Sequence, residues 1–216
     1  MRRASSERAR PVRNTTVTGG SVIQREPANM DAFNYLSVLL SIIIGLGLTQ
    51  VLAACGRLIR ARMHVTWYWP ALLWAAILIV IDVQVWWTMF GLRARKDWTF
   101  VAFFVVLLQT VTLYMMSAVL LPEQVDERGV DLRAHYHRQA PWFFGFLVTT
   151  LIVSVSKDVV LDHRLPGTVN LAFHAMLFAI SLAGIFSRRD AVHRALALCG
   201  AASIGAYIAL LFTRLH

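Results

Sequence analysis

Four charged or titratable side chains lie inside long apolar stretches of the sequence, and their chemistry gives the first indication of function. They are Asp82, Lys157, Asp158 and His174. A charge inside a bilayer costs on the order of a few kcal/mol or more, so such groups are usually paired or functional. Histidine changes its charge near neutral pH, and a carboxylate beside it in low dielectric could relay protons or bind a cation. The four residues therefore predict a polar cavity that carries a proton or ion relay.

Asp82 is the deepest of these groups. It lies in the apolar stretch 67–92, ten residues before the stretch ends. At ~1.5 Å rise per residue this is roughly 15 Å from the exit, near the middle of a ~30 Å hydrocarbon core. The competing interpretation is a structural ion pair with Lys157, because opposite charges in lipid cost less together than apart.

Three amide side chains are predicted to support the same cavity. They are Asn34, Gln84 and Asn170. Simpler roles compete with this prediction: Lys157 could extend its ammonium group to the interface, Asp158 could be solvated there, and His174 could be a hydrogen-bonded packing residue. The amides could form hydrogen bonds between helices.

The elements that must position these groups are membrane-spanning helices. Of 216 residues, 57% are apolar, and they occur in blocks of about twenty, the length that crosses a hydrocarbon core. We predict an all-α, polytopic membrane helical bundle with six transmembrane helices in one domain, residues 30–216. The predicted spans are 33–52 or slightly longer, 67–92, 98–121, 141–161, 167–186 and 191–212.

The span count places all these polar groups in one half of the bilayer. We call the side on which the first span begins side A and the opposite side B. Each polar group named above lies nearer the side-A end of its span. The shared depth is the basis for predicting that they meet.

Two stripes of small side chains recur every four residues along predicted spans. They comprise Ser37, Ser41, Gly45 and Thr49 in the first span and Ala201, Gly205 and Ala209 in the sixth. Small residues allow helix backbones to approach closely in lipid. We expect these faces to pack helices, either within the chain, in a homo-oligomer or against another membrane protein.

Sites for metals and nucleophilic catalysis are not indicated by the sequence. Residues 123–140 are predicted to form a solvated loop; its run His135-Tyr136-His137 could bind a metal, but solvation is the favoured interpretation. Cys55 and Cys199 fall in apolar blocks, which argues against a disulfide framework or a zinc site. There is no HExxH or GxSxG motif, and Ser154, Ser181 and His174 form no recognisable catalytic set. We expect no metal, no cofactor and no enzyme activity.

The net charge of +9 comes mainly from arginine, which supplies 19 of the 21 basic residues. The arginines lie between apolar blocks, where positive charge anchors cytoplasmic loops, so nucleic-acid binding is not expected. Residues 1–29 carry six arginines and are predicted to be a disordered basic tail. A start of the true chain at Met30 is the alternative for this segment.

The arginine distribution also predicts an orientation. Side B carries nine arginines, whereas side A carries five basic residues without residues 1–29 and eleven with them. By the positive-inside rule side B is cytoplasmic, and the N-terminus lies outside if the chain starts at Met30. The aromatic-rich spans and short loops resemble six-span bacterial inner-membrane proteins in general style, without a motif match. We expect a multi-pass protein of the inner (plasma) membrane.

A weak internal repeat is a further prediction. Residues 90–114 and 183–207 share a few positions at an offset of 93 residues. Three spans per half would make the halves inverted copies, an arrangement found in many transporters. Chance matching is the alternative.

Two functions compete on these grounds. The first is a small transporter or channel for protons, cations or a small polar solute, with a side-A cavity around Asp82. The alternative is a non-transporting membrane scaffold, sensor or assembly subunit that binds another membrane protein, which the small-residue stripes and the many aromatic residues fit equally well.

Overall fold

The computed structural model describes residues 32–93, 98–124 and 129–211. Within these ranges the chain forms six α-helices, each long and apolar enough to cross a membrane. They are α1 (Ala32–Arg60), α2 (Trp69–Leu92), α3 (Phe100–Leu120), α4 (Leu132–Asp162), α5 (Thr168–Phe186) and α6 (Asp190–Leu211). The prediction of an all-α six-span membrane bundle is confirmed. The predicted tail 1–29 lies outside the described residues.

The helices enclose a common core. α3 packs between α1 and α4, α4 packs against α5, α5 against α6, and α6 against α2, which also contacts α1. At the centre, the Trp74 ring of α2 meets the edges of Phe143 and Phe144 of α4, with centroids 5.4 and 5.5 Å away. A Cβ at Gly200 of α6 would lie 2.6 Å from Trp74 Cη2. One indole ring therefore couples three helices.

α4 begins nine residues before the predicted start of the fourth span. The Asp131 carboxylate accepts hydrogen bonds from the backbone N–H groups of Arg133 and Ala134, at 2.9 and 3.0 Å. Asp131 is therefore the N-cap of α4. Leu132, Tyr136 and Ala140 follow at four-residue spacing and are buried. The prediction of a solvated loop is wrong for residues 132–140, and the run from His135 to His137 lies on a helix.

α1 continues eight residues beyond the predicted end of the first span, to Arg60, and a 3₁₀ helix (Arg62–His64) follows it. Two short strands, β1 (Val65–Thr66) and β2 (Val130–Asp131), then pair in parallel on side B. Gly129 has φ +88°, and a Cβ there would collide with the His64 carbonyl oxygen. Strand pairing and the close packing of Gly129 on His64 thus connect the segment after α1 to the segment before α4.

The small-residue stripe of α1 faces outward. Ser41, Gly45 and Thr49 are exposed, Ser37 is half-buried, and no atom lies within 4 Å of a Cβ built on Gly45. At this point the stripe packs against no other described helix of the chain. Its role in contact with another chain stays a prediction.

The stripe of α6 is similar. Gly205 and Ala209 are exposed and Ala201 is half-buried. The close approaches between helices occur instead at Gly184, against the Phe144 ring, and at Gly200, against Trp74. Gly184 and Gly200, rather than the predicted Gly45 and Gly205, therefore allow close helix packing within the chain.

The structure does not show the predicted inverted repeat. A Cβ built on Gly91 would meet no atom within 4 Å, whereas one on its proposed counterpart Gly184 would collide with the Phe144 ring. Residues 94–97, which include the charged run of the first copy, lie outside the described residues.

Candidate functional site

A mainly apolar cavity with several polar lining residues lies between α2, α3, α4, α5 and α6. Its volume is about 100 Å³, enough for a few water molecules at roughly 30 Å³ each. Leucine, isoleucine and valine side chains form much of the wall. The polar lining residues are Gln84, Gln109, Thr150, Ser154, His174 and Tyr207. We call this space the central cavity.

His174 has its two ring nitrogens on different partners. Nδ1 lies 2.8 Å from the Asn170 carbonyl oxygen, and Nε2 lies 3.1 Å from Ser154 Oγ. Because a carbonyl oxygen can only accept, Nδ1 carries the proton, and in the neutral ring Nε2 accepts the Ser154 hydroxyl. The hydrogen bonds thus fix the tautomer and leave the basic nitrogen on the side of Ser154 and the central cavity.

Buried hydroxyl groups join α3 and α4 beside this cavity. Thr112 donates to the Gln109 carbonyl oxygen at 2.9 Å, and Thr150 Oγ1 lies 2.9 Å from Thr112 Oγ1. Thr150 Oγ1 is also 2.9 Å from the Phe146 carbonyl oxygen. The Thr150–Thr112 contact joins α3 to α4, and the bonds to carbonyl oxygens lie within each helix. Together they give these hydroxyl groups partners away from water.

Further polar groups lie on α2, α4 and α6. The Tyr207 hydroxyl interacts with the Gln84 side chain, and both residues line the central cavity. Asp158 lies within electrostatic range of Tyr207, and its Oδ1 is 3.9 Å from Lys157 Nζ. Asp158 and Lys157 themselves do not line the central cavity.

Asp82 lies on another face of α2, away from the central cavity. Its side chain is buried, with 1% of the residue exposed, so it does not face lipid. A Cβ on Gly47 of α1 would lie 3.7 Å from Asp82 Oδ2 and 3.5 Å from Ser117 Oγ of α3. Both oxygens are buried without a hydrogen-bond partner in the described part of the chain. We call this place the Asp82 site.

The predicted residues therefore do not share one cavity. His174 and Gln84 line the central cavity, Lys157 and Asp158 pair outside its lining, and Asp82 lies against α1 and α3. The ion partner that the structure gives Lys157 is its neighbour Asp158. The functional roles assigned to these residues stay predictions.

The two asparagines differ in position. Asn34, at the start of α1, is exposed and lines a separate cleft with Trp86 and Arg93. Asn170 lies beside His174, where its carbonyl oxygen accepts the Nδ1 hydrogen bond. Its side-chain Oδ1 is buried and without a partner among the described residues. Neither asparagine lines the central cavity, and the supporting role of the Asn170 side chain stays a prediction.

A second polar cluster lies on side B. It was not predicted from the sequence. Asp190, the first residue of α6, binds Arg194 Nη2 at 2.8 Å, Arg133 Nε at 3.3 Å and His137 Nε2 at 3.4 Å. One carboxylate thus joins the first turns of α4 and α6. We call this the Asp190 cluster.

Aromatic rings form the buried side of the Asp190 cluster. His193 Nε2 donates to the Ser187 carbonyl oxygen at 2.9 Å, and Nδ1 accepts from the Tyr136 hydroxyl at 3.2 Å. The Tyr68 hydroxyl lies near Asp190 without a well-formed hydrogen bond, and burial together with this carboxylate raises the pKa of Tyr68. The N-cap Asp131 and the four-residue spacing after it were the available sequence signals.

Comparisons with known proteins assign no family. The chain matches no protein-family model, and no curated protein or solved structure is significantly similar to it. Within the described ranges, no three His, Cys, Asp or Glu side chains are grouped so that they could hold a metal ion.

Proposed function

We propose that the protein is a small transporter or channel that moves protons, or a solute of about the size of water, through the middle of the bundle. The observation that carries this proposal is the central cavity, in which the basic nitrogen of a histidine and several neutral polar groups lie among apolar helices. Polar residues inside spans are costly and commonly mark ion or proton pathways.

The dimensions and charges of the central cavity favour protons over larger cargo. About 100 Å³ leaves room for water but not for a sugar or an amino acid. None of the polar residues that line it is acidic, so a desolvated metal cation would lack a compensating charge. His174 can accept and return a proton at Nε2 while Nδ1 stays bonded to a carbonyl oxygen.

Asp82 has a related role in this proposal. A bare buried carboxylate is costly and takes up a proton or another cation to offset its charge. The Asp82 site offers Ser117 Oγ beside it and no charged partner among the described residues. We assign Asp82 as a buried proton-binding group that lies outside the central cavity and affects proton movement indirectly.

The test is proton flux into proteoliposomes that contain the purified full chain and a pH-sensitive dye. With an imposed pH gradient and valinomycin to clamp the potential, we expect flux above protein-free vesicles. His174→Gln should reduce that flux at least tenfold because glutamine cannot take up a proton. His64→Gln, at an exposed histidine outside the six α-helices, is the matched control and should keep wild-type flux.

Absence of flux in the wild-type protein, together with correct insertion, would refute transport of protons. Equal flux in the His174→Gln variant would remove His174 from the pathway. Asp82→Asn should lower flux by a smaller factor, since Asp82 does not line the central cavity. If Asp82→Asn alone abolishes flux, the pathway runs through α1 and α3 instead.

A second candidate is a non-transporting scaffold, sensor or assembly subunit. The outward, unoccupied face around Gly45 favours it, because small residues exposed to lipid allow another helix to approach closely. Co-purification of a stoichiometric membrane protein in mild detergent, lost on Gly45→Leu and kept on Gly91→Leu, would support this candidate over the first.

The proposed location is the inner (plasma) membrane of a bacterium, with side B in the cytoplasm. Among the described residues side B carries eight arginines and three acids, which supports this orientation. The orientation is tested with Glu123→Cys on side B and His163→Cys on side A, each introduced singly into a chain that lacks Cys55 and Cys199. An impermeant thiol reagent is applied to intact cells. Labelling at His163 alone supports the proposal; labelling at Glu123 alone reverses it.

A further inference from the structure

A basic cleft opens on side B, where the first turns of α4 meet the end of α5. Its volume is about 480 Å³, several times that of the central cavity. The residues that matter in its lining are His137, Arg138, Pro141, Gly184, Ser187 and Arg188. We call this space the side-B cleft.

The cleft carries uncompensated positive charge. Arg138 and Arg188 are exposed, and neither makes an ion pair with any residue in the described ranges. No acidic side chain lines the cleft. The nearby Asp190 cannot neutralise the two arginines, because its oxygens already bind Arg133, His137 and Arg194.

The cleft also contains a hydrogen-bond donor. Ser187 Oγ accepts the backbone N–H of Arg189 at 3.3 Å, which leaves the hydroxyl proton of Ser187 to donate to a ligand. Two guanidinium groups and one hydroxyl suit the tetrahedral oxygens of a phosphate, which arginine binds through paired N–H groups.

The position of the cleft is that of a lipid headgroup. Trp142 follows Pro141 and is 65% exposed, and Phe186 precedes Ser187 and is 82% exposed. Exposed aromatic rings at the ends of spans mark the interface between hydrocarbon and headgroups. The arginines therefore lie at the level of lipid phosphates, with apolar surface of α4 and α5 below them for acyl chains.

We propose that the side-B cleft binds the phosphate headgroup of an anionic phospholipid from the adjacent leaflet. Arg138 and Arg188 hold the phosphate oxygens, Ser187 donates to one of them, and Trp142 and Phe186 contact the acyl chains. Basic pockets between helices of membrane proteins recognise anionic headgroups in this way. The inference is independent of transport through the central cavity.

The experiment measures thermal stability of the detergent-purified full chain against added lipid. We expect dioleoyl-phosphatidylglycerol to raise the melting temperature saturably and dioleoyl-phosphatidylcholine to do so much less. Arg138→Gln/Arg188→Gln should raise the lipid concentration at half-effect by about tenfold or more, since both guanidinium contacts to the phosphate are lost. Inorganic phosphate, the other source of the same chemistry, should not reproduce the effect at equal concentration.

Two further variants keep the test decisive. Arg60→Gln/Arg62→Gln removes two exposed side-B arginines outside the cleft and should leave the half-effect concentration unchanged. Arg138→Lys/Arg188→Lys keeps the charge and should lose less than the glutamine variant, which separates binding from misfolding. Equal effects of the two lipids, equal losses in the Arg60/Arg62 control, or full reproduction by inorganic phosphate would each overturn the proposal.

Discussion

Asp82 and Gln84 are two residues apart on α2 and point into different parts of the bundle. Gln84 lines the central cavity, whereas Asp82 Oδ2 lies near Gly47 and Ser117. Two residues correspond to a turn of about 200° around a helix, so a single helix supplies both environments. The bundle therefore contains two separate polar sites, the central cavity and the Asp82 site.

The buried Asp82 predicts a stability gain when its carboxyl group is removed. Asp82→Leu replaces a carboxyl group whose Oδ2 has no hydrogen-bond partner among the described residues with an apolar side chain of similar shape, so we expect the free energy of unfolding to rise by about 1–3 kcal/mol. Unfolding in SDS followed by circular dichroism measures it. A loss of stability would mean that the carboxylate has a stabilising contact.

Two glycines of α6 form a matched pair for packing. A Cβ on Gly200 would lie 2.6 Å from the Trp74 ring, whereas one on Gly205 meets nothing within 4 Å. Gly200→Ala should destabilise the fold by about 1–3 kcal/mol, as overpacking does, and Gly205→Ala should change it little. Thermal unfolding of both variants side by side is the measurement; equal values would place the Trp74 ring elsewhere.

The buried hydrogen bond between Tyr136 and His193 predicts a modest loss. Tyr136→Phe removes the hydroxyl at 3.2 Å from His193 Nδ1 and leaves that nitrogen unsatisfied, which costs about 1–3 kcal/mol. Tyr35→Phe, at a 65% exposed position, is the control and should be neutral. If both substitutions are neutral in thermal unfolding, the histidine has found another partner.

The serine next to His174 predicts an effect on activity without one on folding. Ser154→Ala removes the hydroxyl at 3.1 Å from Nε2, so we expect proton flux to fall severalfold because the basic nitrogen loses its hydrogen-bonded neighbour. Ser156→Ala, two residues on, removes a hydroxyl bonded to the Ile152 carbonyl oxygen and should not alter flux. Equal flux in the two variants would contradict a role for the Ser154–His174 pair.

The six spans were predictable because apolar blocks of membrane length depend on composition alone. Counting spans also predicts a shared depth for the polar groups, which stays a prediction. The neighbours of these groups were not predictable: the helical period fixes the rotation of Asp82 relative to Gln84 but not which helix each side of α2 contacts. The Asp190 cluster was not predictable because it joins residues 53 and 57 positions apart, and because residues 132–140, predicted to be part of a solvated loop, form the start of α4 instead.

The parallel backbone pairing between Val65 and Val130 has a mechanical consequence. It joins the end of α1 to the start of α4, and the Asp190 cluster joins α4 to α6. Three helices are therefore connected at side B by contacts outside the apolar core. We expect any rearrangement of the bundle to change side A more than side B.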